Sequence, residues 1–263
     1  MLRQTQQAAK ISAAQVSSFK EWRIIVVVPL LVLSFLSAGL FVRIPTALAY
    51  SCNSHCYGLQ IWDGNVNGAQ TQVTIANLSC TGSCASGGFI DDEMWLLDYH
   101  TKACHLDAFF SCWVEAGYSN DGAGTYHFWA DVRPIDGKYH LHPLMQASSY
   151  PTVYTLEGVC CQQFEVGLIF LYPCRYGCRY TYFSTQNSMS PDDIQIGQEL
   201  LGTGGASASR ADFSNNYWQG SINGGWNLQG YGNGPGVSDP NPPPYAAWVN
   251  PPYTSNDFYT YCC

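Results

Sequence analysis

Two glutamates stand on segments whose alternation brings them to polar sheet faces. In CWVEAGY (112–118), side chains of an extended strand alternate, so Trp113, Glu115 and Gly117 share one face and Val114, Ala116 and Tyr118 the other. In IQIGQEL (194–200), Gln195, Gly197 and Glu199 lie opposite Ile194, Ile196, Gln198 and Leu200. A glycine beside each glutamate leaves room for a ligand backbone. The run after the first segment, HFWADV, groups His127, Trp129 and Asp131 against Phe128, Ala130 and Val132. We read this as a hairpin with one apolar side and, on the other, Glu115 and Asp131 among tryptophans. If the strands carrying Glu115 and Glu199 are neighbours on a concave sheet, the two glutamates share a site. Close carboxylates do not both ionise cheaply, so one holds a proton near acid-to-neutral pH. The ionised member activates water, and the protonated one polarises a carbonyl or protonates a leaving group. That chemistry serves peptide hydrolysis and glycoside hydrolysis alike. The alternative is two solvated or hydrogen-bonded rim carboxylates.

Other constellations carry less. Asp91-Asp92-Glu93 before Met94-Trp95 suggests calcium or a glycosidase, but an acidic triplet at a strand entrance reads as a solvated loop. His100 and His127 are candidate bases, and a strand histidine beside aromatics reads as structural. There is no G-x-S-x-G elbow and no phosphate-binding glycine loop, so serine hydrolysis and nucleotide cofactors are not expected, and no cofactor is assigned.

The elements that must position these groups are short and extended. Apolar and aromatic runs recur at 57–62, 70–76, 94–99, 110–118, 125–132, 138–144, 152–156, 164–171, 179–183, 194–201 and 212–218, separated by DGNVNG, TGSCASGG, SNDGAG, PIDGK and GTGGA. Many short strands with such punctuation predict an all-β fold, an antiparallel β-sandwich of jelly-roll or concanavalin-like character. After Trp218 the chain is rich in Gly, Asn and Pro, with DPNPPP at 239–244. This stretch is expected to resist regular structure. The organisation that follows is a leader over 1–49, a β-sandwich over 50–222, and a Gly/Pro-rich arm over 223–263 packed on it.

All twelve cysteines follow Ala49: Cys52, Cys56, Cys80, Cys84, Cys104, Cys112, Cys160, Cys161, Cys174, Cys178, Cys262 and Cys263. An even number in an exported chain reads as a disulfide framework, and the spacing matches no common zinc pattern, so no metal is assigned. Three C-x-x-x-C pairs enclose turn-forming residues and either close small loops or reach other segments.

The leader itself has a basic start ending at Arg23, an uncharged run over 24–42, and Ala47-Leu48-Ala49 as a cleavage site. Export with cleavage after Ala49 is expected, so the protein is secreted. The alternative is an uncleaved transmembrane anchor with the β domain outside, the protein's only contact with membrane. Beyond residue 49 there are 6 bases and 18 acids. So acidic a surface excludes nucleic acid as a partner, because phosphates demand a basic footprint. Polypeptide or glycan ligands remain.

The order WVEAGY, HFWADVRP, IQIGQEL over roughly 110–220 resembles the glutamic peptidases, secreted β-sandwich enzymes active at acid pH. Their fungal, eqolisin branch carries a catalytic Gln before a Gly on an early strand and a catalytic Glu on a later one. The plant neprosin-like branch uses two glutamates. The resemblance implies Glu115 and Glu199 as the catalytic pair, with Trp129 and Asp131 lining the cleft; Trp113, Gln195 and Trp95 are the further candidate substrate-binding residues. Two other functions stay open. One is a non-catalytic carbohydrate- or surface-binding module in which Trp95, Trp113, Trp129 and Tyr118 stack on sugar rings. The other is a glycoside hydrolase.

Overall fold

The computed structural model describes residues 52–74, 76–100, 111–147, 150–160, 163–171, 178–184, 189–202, 204–229, 237–239, 245–249 and 257–262. Its strands in chain order are β1 (Cys52–Asp63), β2 (Gly68–Thr74), β3 (Leu78–Cys80), β4 (Phe89–Asp98), β5 (Cys112–Asn120), β6 (Thr125–Val132), β7 (Tyr139–Gln146) and β8 (Thr152–Val159). There follow β9 (Gln163–Phe170), β10 (Cys178–Ser184), β11 (Asp193–Gly202), β12 (Ala206–Gln219), β13 (Trp226–Leu228), β14 (Val237–Asp239), β15 (Tyr245–Val249) and β16 (Phe258–Cys262). They build an antiparallel β-sandwich of jelly-roll type. One sheet runs β14-β1-β11-β4-β5-β6-β7, and the other β10-β9-β8-β2-β12-β16-β15, with β3 and β13 also pairing β12.

The main core fills the space between the sheets. Ile90, Met94 and Leu96 of β4, Val114, Ala116 and Tyr118 of β5, and Ile194, Ile196 and Leu200 of β11 belong to it. So do Val73, Tyr154, Leu156, Val166, Leu168 and Phe213 of the second sheet. Each fully buried Val, Leu or Ile contributes about 1.5–3 kcal/mol relative to exposure, so this seam dominates cohesion. A smaller cluster of Leu59, Trp95 and Leu97, with Tyr57, Ile61 and Trp113 against it, lies on the outer face of the first sheet.

The β5–β6 hairpin is decided by its loop. Residues 121–124 connect Asn120 to its partner Thr125. Asn120 Oδ1 accepts from the Gly122 N–H at 2.8 Å, and Asp121 Oδ1 from the Ala123 N–H at 2.9 Å. Gly122 and Gly124 take φ of 92° and 134°, which a side chain would disfavour. A four-residue loop closing on 120 and 125 pairs Glu115 with Ala130 and Trp113 with Val132. Directly opposed residues share a face, so His127, Trp129 and Asp131 point to the side opposite Glu115. The expectation that Asp131 and Trp129 accompany Glu115 is therefore corrected: the loop puts the register one residue away from the pairing it needs.

Beyond Trp218 a second correction applies. The stretch expected to resist regular structure contributes β13, β14 and β15, and β16 pairs with β12. β14 extends the first sheet beside β1, ending at Asp239, where the proline run begins. Cys80 and Cys84 form a disulfide across a short turn, with Cα atoms 5.2 Å apart. Cys56, Cys112, Cys178 and Cys262 are also disulfide-bonded. The alternative of a membrane-spanning helix finds no support among the described residues. Among the described residues no helix is long and apolar enough to cross a membrane, and the apolar run over 24–42 and the cleavage site lie outside them.

Candidate active site

A cavity of about 780 Å³ opens on the outer face of the first sheet, where β1, β11, β4, β5, β6 and β7 lie side by side. Register decides what faces it. Tyr57, Glu199, Asp91 and Ser119 form one cross-strand row; Leu59, Gly197, Glu93 and Gly117 form the next; Ile61, Gln195, Trp95, Glu115 and Ala130 form the third. Glu115 and Glu199 thus share the face and both line the cavity. Their strands are not neighbours, because β4 lies between them, and the two glutamates are offset by four positions along β4 with Glu93 midway.

Glu115 is buried and held from two sides. Its Oε2 accepts from Trp113 Nε1 at 2.8 Å, and its Oε1 from the Tyr139 hydroxyl at 2.9 Å. Burial, then the charge of Glu199, pushes its pKa up to about 8 against these donors. A carboxyl of this kind keeps its proton at neutral pH. Glu199 meets His55 Nδ1 through Oε1 and lies directly across from Tyr57 on β1.

Between the two glutamates lie the residues that sequence reasoning placed in a solvated loop. Asp91, Asp92 and Glu93 are 5%, 0% and 1% exposed, inside β4. Asp91, Glu93 and Glu199 bring one carboxylate oxygen each within 4.8 Å of one another. Two carboxyls packed this closely and this deeply favour a proton on one of them. Burial raises both pKa values, followed by the charge of Glu199 for Asp91 and of Asp91 for Glu93. Calcium takes six to eight oxygens, whereas a shared proton asks for no further ligand, so proton sharing is the economical account of this cluster. The sequence did carry a signal: Asp91, Glu93 and Trp95 alternate at the period of a strand whose face also holds Leu97.

Asp92 points the other way, into the core. It accepts from Tyr118 at 2.5 Å and from Gln198 Nε2 at 2.8 Å, and burial pushes its pKa up to about 7.

The remaining sequence candidates divide cleanly. Trp113, Trp95 and Gln195 line the cavity, together with Tyr99, whose hydroxyl accepts from Gln195 Nε2 at 3.1 Å. Trp129 and Asp131 do not. Trp129 stacks on His142 with ring centroids 3.9 Å apart, inside the main core. Asp131 is fully buried, paired with Arg133 Nε at 2.9 Å and bonded by the Ser184 hydroxyl. Tyr118, a candidate sugar platform, is buried between the sheets. His127 is buried there too, its Nδ1 2.7 Å from the Tyr154 hydroxyl and its pKa lowered to about 4 by burial. The glycines also differ from expectation. A Cβ on Gly117 would collide with the Glu93 side chain and the Asp92 carbonyl, and one on Gly197 with the Gly58 carbonyl. They admit neighbouring strands, not a ligand. His55, Tyr57 and Tyr139 were missed: His55 sits inside a C-x-x-x-C segment that reads as a turn, and Tyr139 looks like an edge-strand aromatic.

No protein-family model matches the chain, and none of the curated proteins matches it in sequence. Solved structures do. Scytalido-glutamic peptidase bound to a peptide-based transition-state analogue superposes with a TM-score of 0.52 at 9% identity, covering 81% of this chain and 100% of that one. The same enzyme with a transition-state analogue inhibitor gives 0.51 at 10% identity, covering 80% and 98%. SCP-B, an eqolisin-family peptidase in complex with the tripeptide Ala-Ile-His, gives 0.49 at 9% identity, covering 81% and 100%. The chain carries, over four-fifths of its length, a distant form of the glutamic-peptidase fold.

Proposed function

We propose that this chain is an exported acid hydrolase of glutamic-peptidase type, cleaving peptide bonds with Glu199 as base and Glu115 as acid. The observation that carries the reading is Glu115 itself: a carboxyl kept protonated by burial, clamped by Trp113 and Tyr139, in a cavity that Glu199 also lines. Glu199 takes a proton from water as the water oxygen bonds to the peptide carbonyl carbon. The carbonyl electrons move to oxygen, which Glu115 protonates. On collapse the C–N bond breaks, the amine leaves with the proton held by Glu199, and Glu115 recovers its own from the hydroxyl. Asp91 and Glu93, both held toward the protonated form by burial, keep the cluster from carrying full negative charge.

The test is proteolysis of an unfolded protein by the purified, oxidised protein from pH 3 to 7. Cleavage lost in both Glu115→Gln and Glu199→Gln, with folding retained, supports the dyad; no cleavage by the wild type at any of these pH values refutes it.

One observation favours a second reading. Tyr57, Trp95, Tyr99, Trp113 and Tyr139 give the cavity aromatic walls suited to stacking on sugar rings. A glycan-binding module or glycosidase would lose its ligand in Trp113→Ala; a non-catalytic module would keep it in Glu115→Gln.

A further inference from the structure

His55 stands at one end of the cavity on β1, opposite Leu201 and two residues along the strand from the Tyr57–Glu199 pair. Three contacts hold its ring. Nδ1 meets Glu199 Oε1, Tyr57 stacks on it with centroids 6.1 Å apart, and Phe89 approaches edge-on at 6.0 Å. The side chain is half-exposed. Among the described residues lining the cavity, His55 is the one that can carry positive charge. The groups around it are otherwise acidic or phenolic: Glu199 on β11, Asp91 and Glu93 on β4, Glu115 on β5, Tyr57 on β1 and Tyr139 on β7.

We propose that His55 is the positioning residue for Glu199, pairing with that carboxylate at the cavity mouth and so assigning it the base role while Glu115 keeps the acid role. The chemical half of this statement rests on the peptidase reading; the pairing itself does not. Two glutamates of one residue type on one sheet face have no intrinsic division of labour. Their partners supply it. Trp113 and Tyr139 are neutral donors that leave Glu115 able to hold a proton, whereas an imidazolium is a cation that matches a carboxylate. The ring is suited to the part, since its pKa is raised, chiefly by the hydrogen bond to Glu199, against burial and with help from the charges of Glu199 and Glu115. Below that pKa the ring is an imidazolium, and the cavity gains one positive charge where Asp91, Glu93 and Glu199 converge.

The experiment has two arms on the purified full-length oxidised protein. In the first, NMR follows the ring titrations of the six histidines in the wild type and in Glu199→Gln, with His55→Gln used for assignment. His55 is expected to titrate above 6.5 in the wild type and at or below it in Glu199→Gln. A wild-type midpoint at or below 6.5, or one unmoved by Glu199→Gln, overturns the pairing. In the second arm, His55→Gln keeps an N–H donor but no charge. Its kcat for proteolysis at pH 5 should fall about tenfold or more with KM nearly unchanged, and added imidazole should restore part of the activity of His55→Gly. Wild-type kcat in His55→Gln overturns the positioning role. If the wild type cleaves nothing, the peptidase reading and the role built on it fail together, while the ring titration still decides the pairing.

Discussion

Asp92 is the cleanest place to perturb the electrostatics of this sandwich, because it sits in the core and away from the cavity. Its side chain is fully buried, and burial lifts its pKa from 3.8 to about 7 against the hydrogen bonds from Tyr118 and Gln198. The unfolded chain releases this proton near pH 4, and the folded chain keeps it until about 7. Between those values the folded state binds more protons than the unfolded, so stability falls as pH rises. The contribution is whole below pH 4 and lost above pH 7. About three pKa units at 1.36 kcal/mol each come to about 4 kcal/mol. For a domain of this size that is about 8–16 °C in Tm. Asp92→Asn removes the titration and keeps the network: the amide oxygen accepts from Tyr118, and its NH2 can turn to Gln198 Oε1, a buried acceptor with no partner in hydrogen-bond range. Thermal or urea unfolding at pH 4 and pH 8 reads the effect, with disulfides intact. The wild type should lose about 4 kcal/mol more than Asp92→Asn between these values. Glu115 and Asp193, raised to about 8 and about 7, act in the same direction, and His127, lowered to about 4, loses stability as pH falls below 6.5. These terms are common to both proteins and cancel. Parallel pH profiles in the two proteins would refute the reasoning.

Other perturbations separate cavity from core. Gly117→Ala drives a methyl into the Glu93 side chain and the Asp92 carbonyl, and should cost about 1–3 kcal/mol in urea unfolding while disturbing the acid cluster. Trp129→Ala should cost about 3–5 kcal/mol of stability and spare ligand binding, whereas Trp113→Ala should do the reverse, as paired melting and ligand-binding measurements would reveal. Tyr139→Phe removes a donor that favours the ionised Glu115, so the alkaline limb of activity should move to higher pH.

The strands were legible in the sequence because alternation and Gly/Asn/Asp loops are local signals. Eleven apolar runs coincide with β1, β2 and β4–β12. Faces were less legible. Within a strand, alternation is certain, but between strands one residue of register inverts every side chain, and the parity of the 121–124 loop decided that for β5 and β6. Trp129 and Asp131 moved from cavity to core on that single residue. Strand order is non-local: nothing local to 194–200 says that β4 intervenes between β11 and β5, or that Asp91 and Glu93 arrive with it. The short strands of the arm were hidden by composition, since Gly and Pro suppress the pattern while pairing with β1, β12 and each other still satisfies the backbone.

Whether Glu115 holds a proton at neutral pH decides its role as the acid. Carbon-13 labelling of glutamate side chains, with Glu115→Gln to assign the resonance, follows its carboxyl through a pH titration without requiring a substrate. The Glu115 carboxyl is expected to be still protonated at pH 6.5 and to titrate at about 8. A resonance already that of an ordinary carboxylate by pH 6 would contradict it, and with it the assignment of Glu115 as the acid.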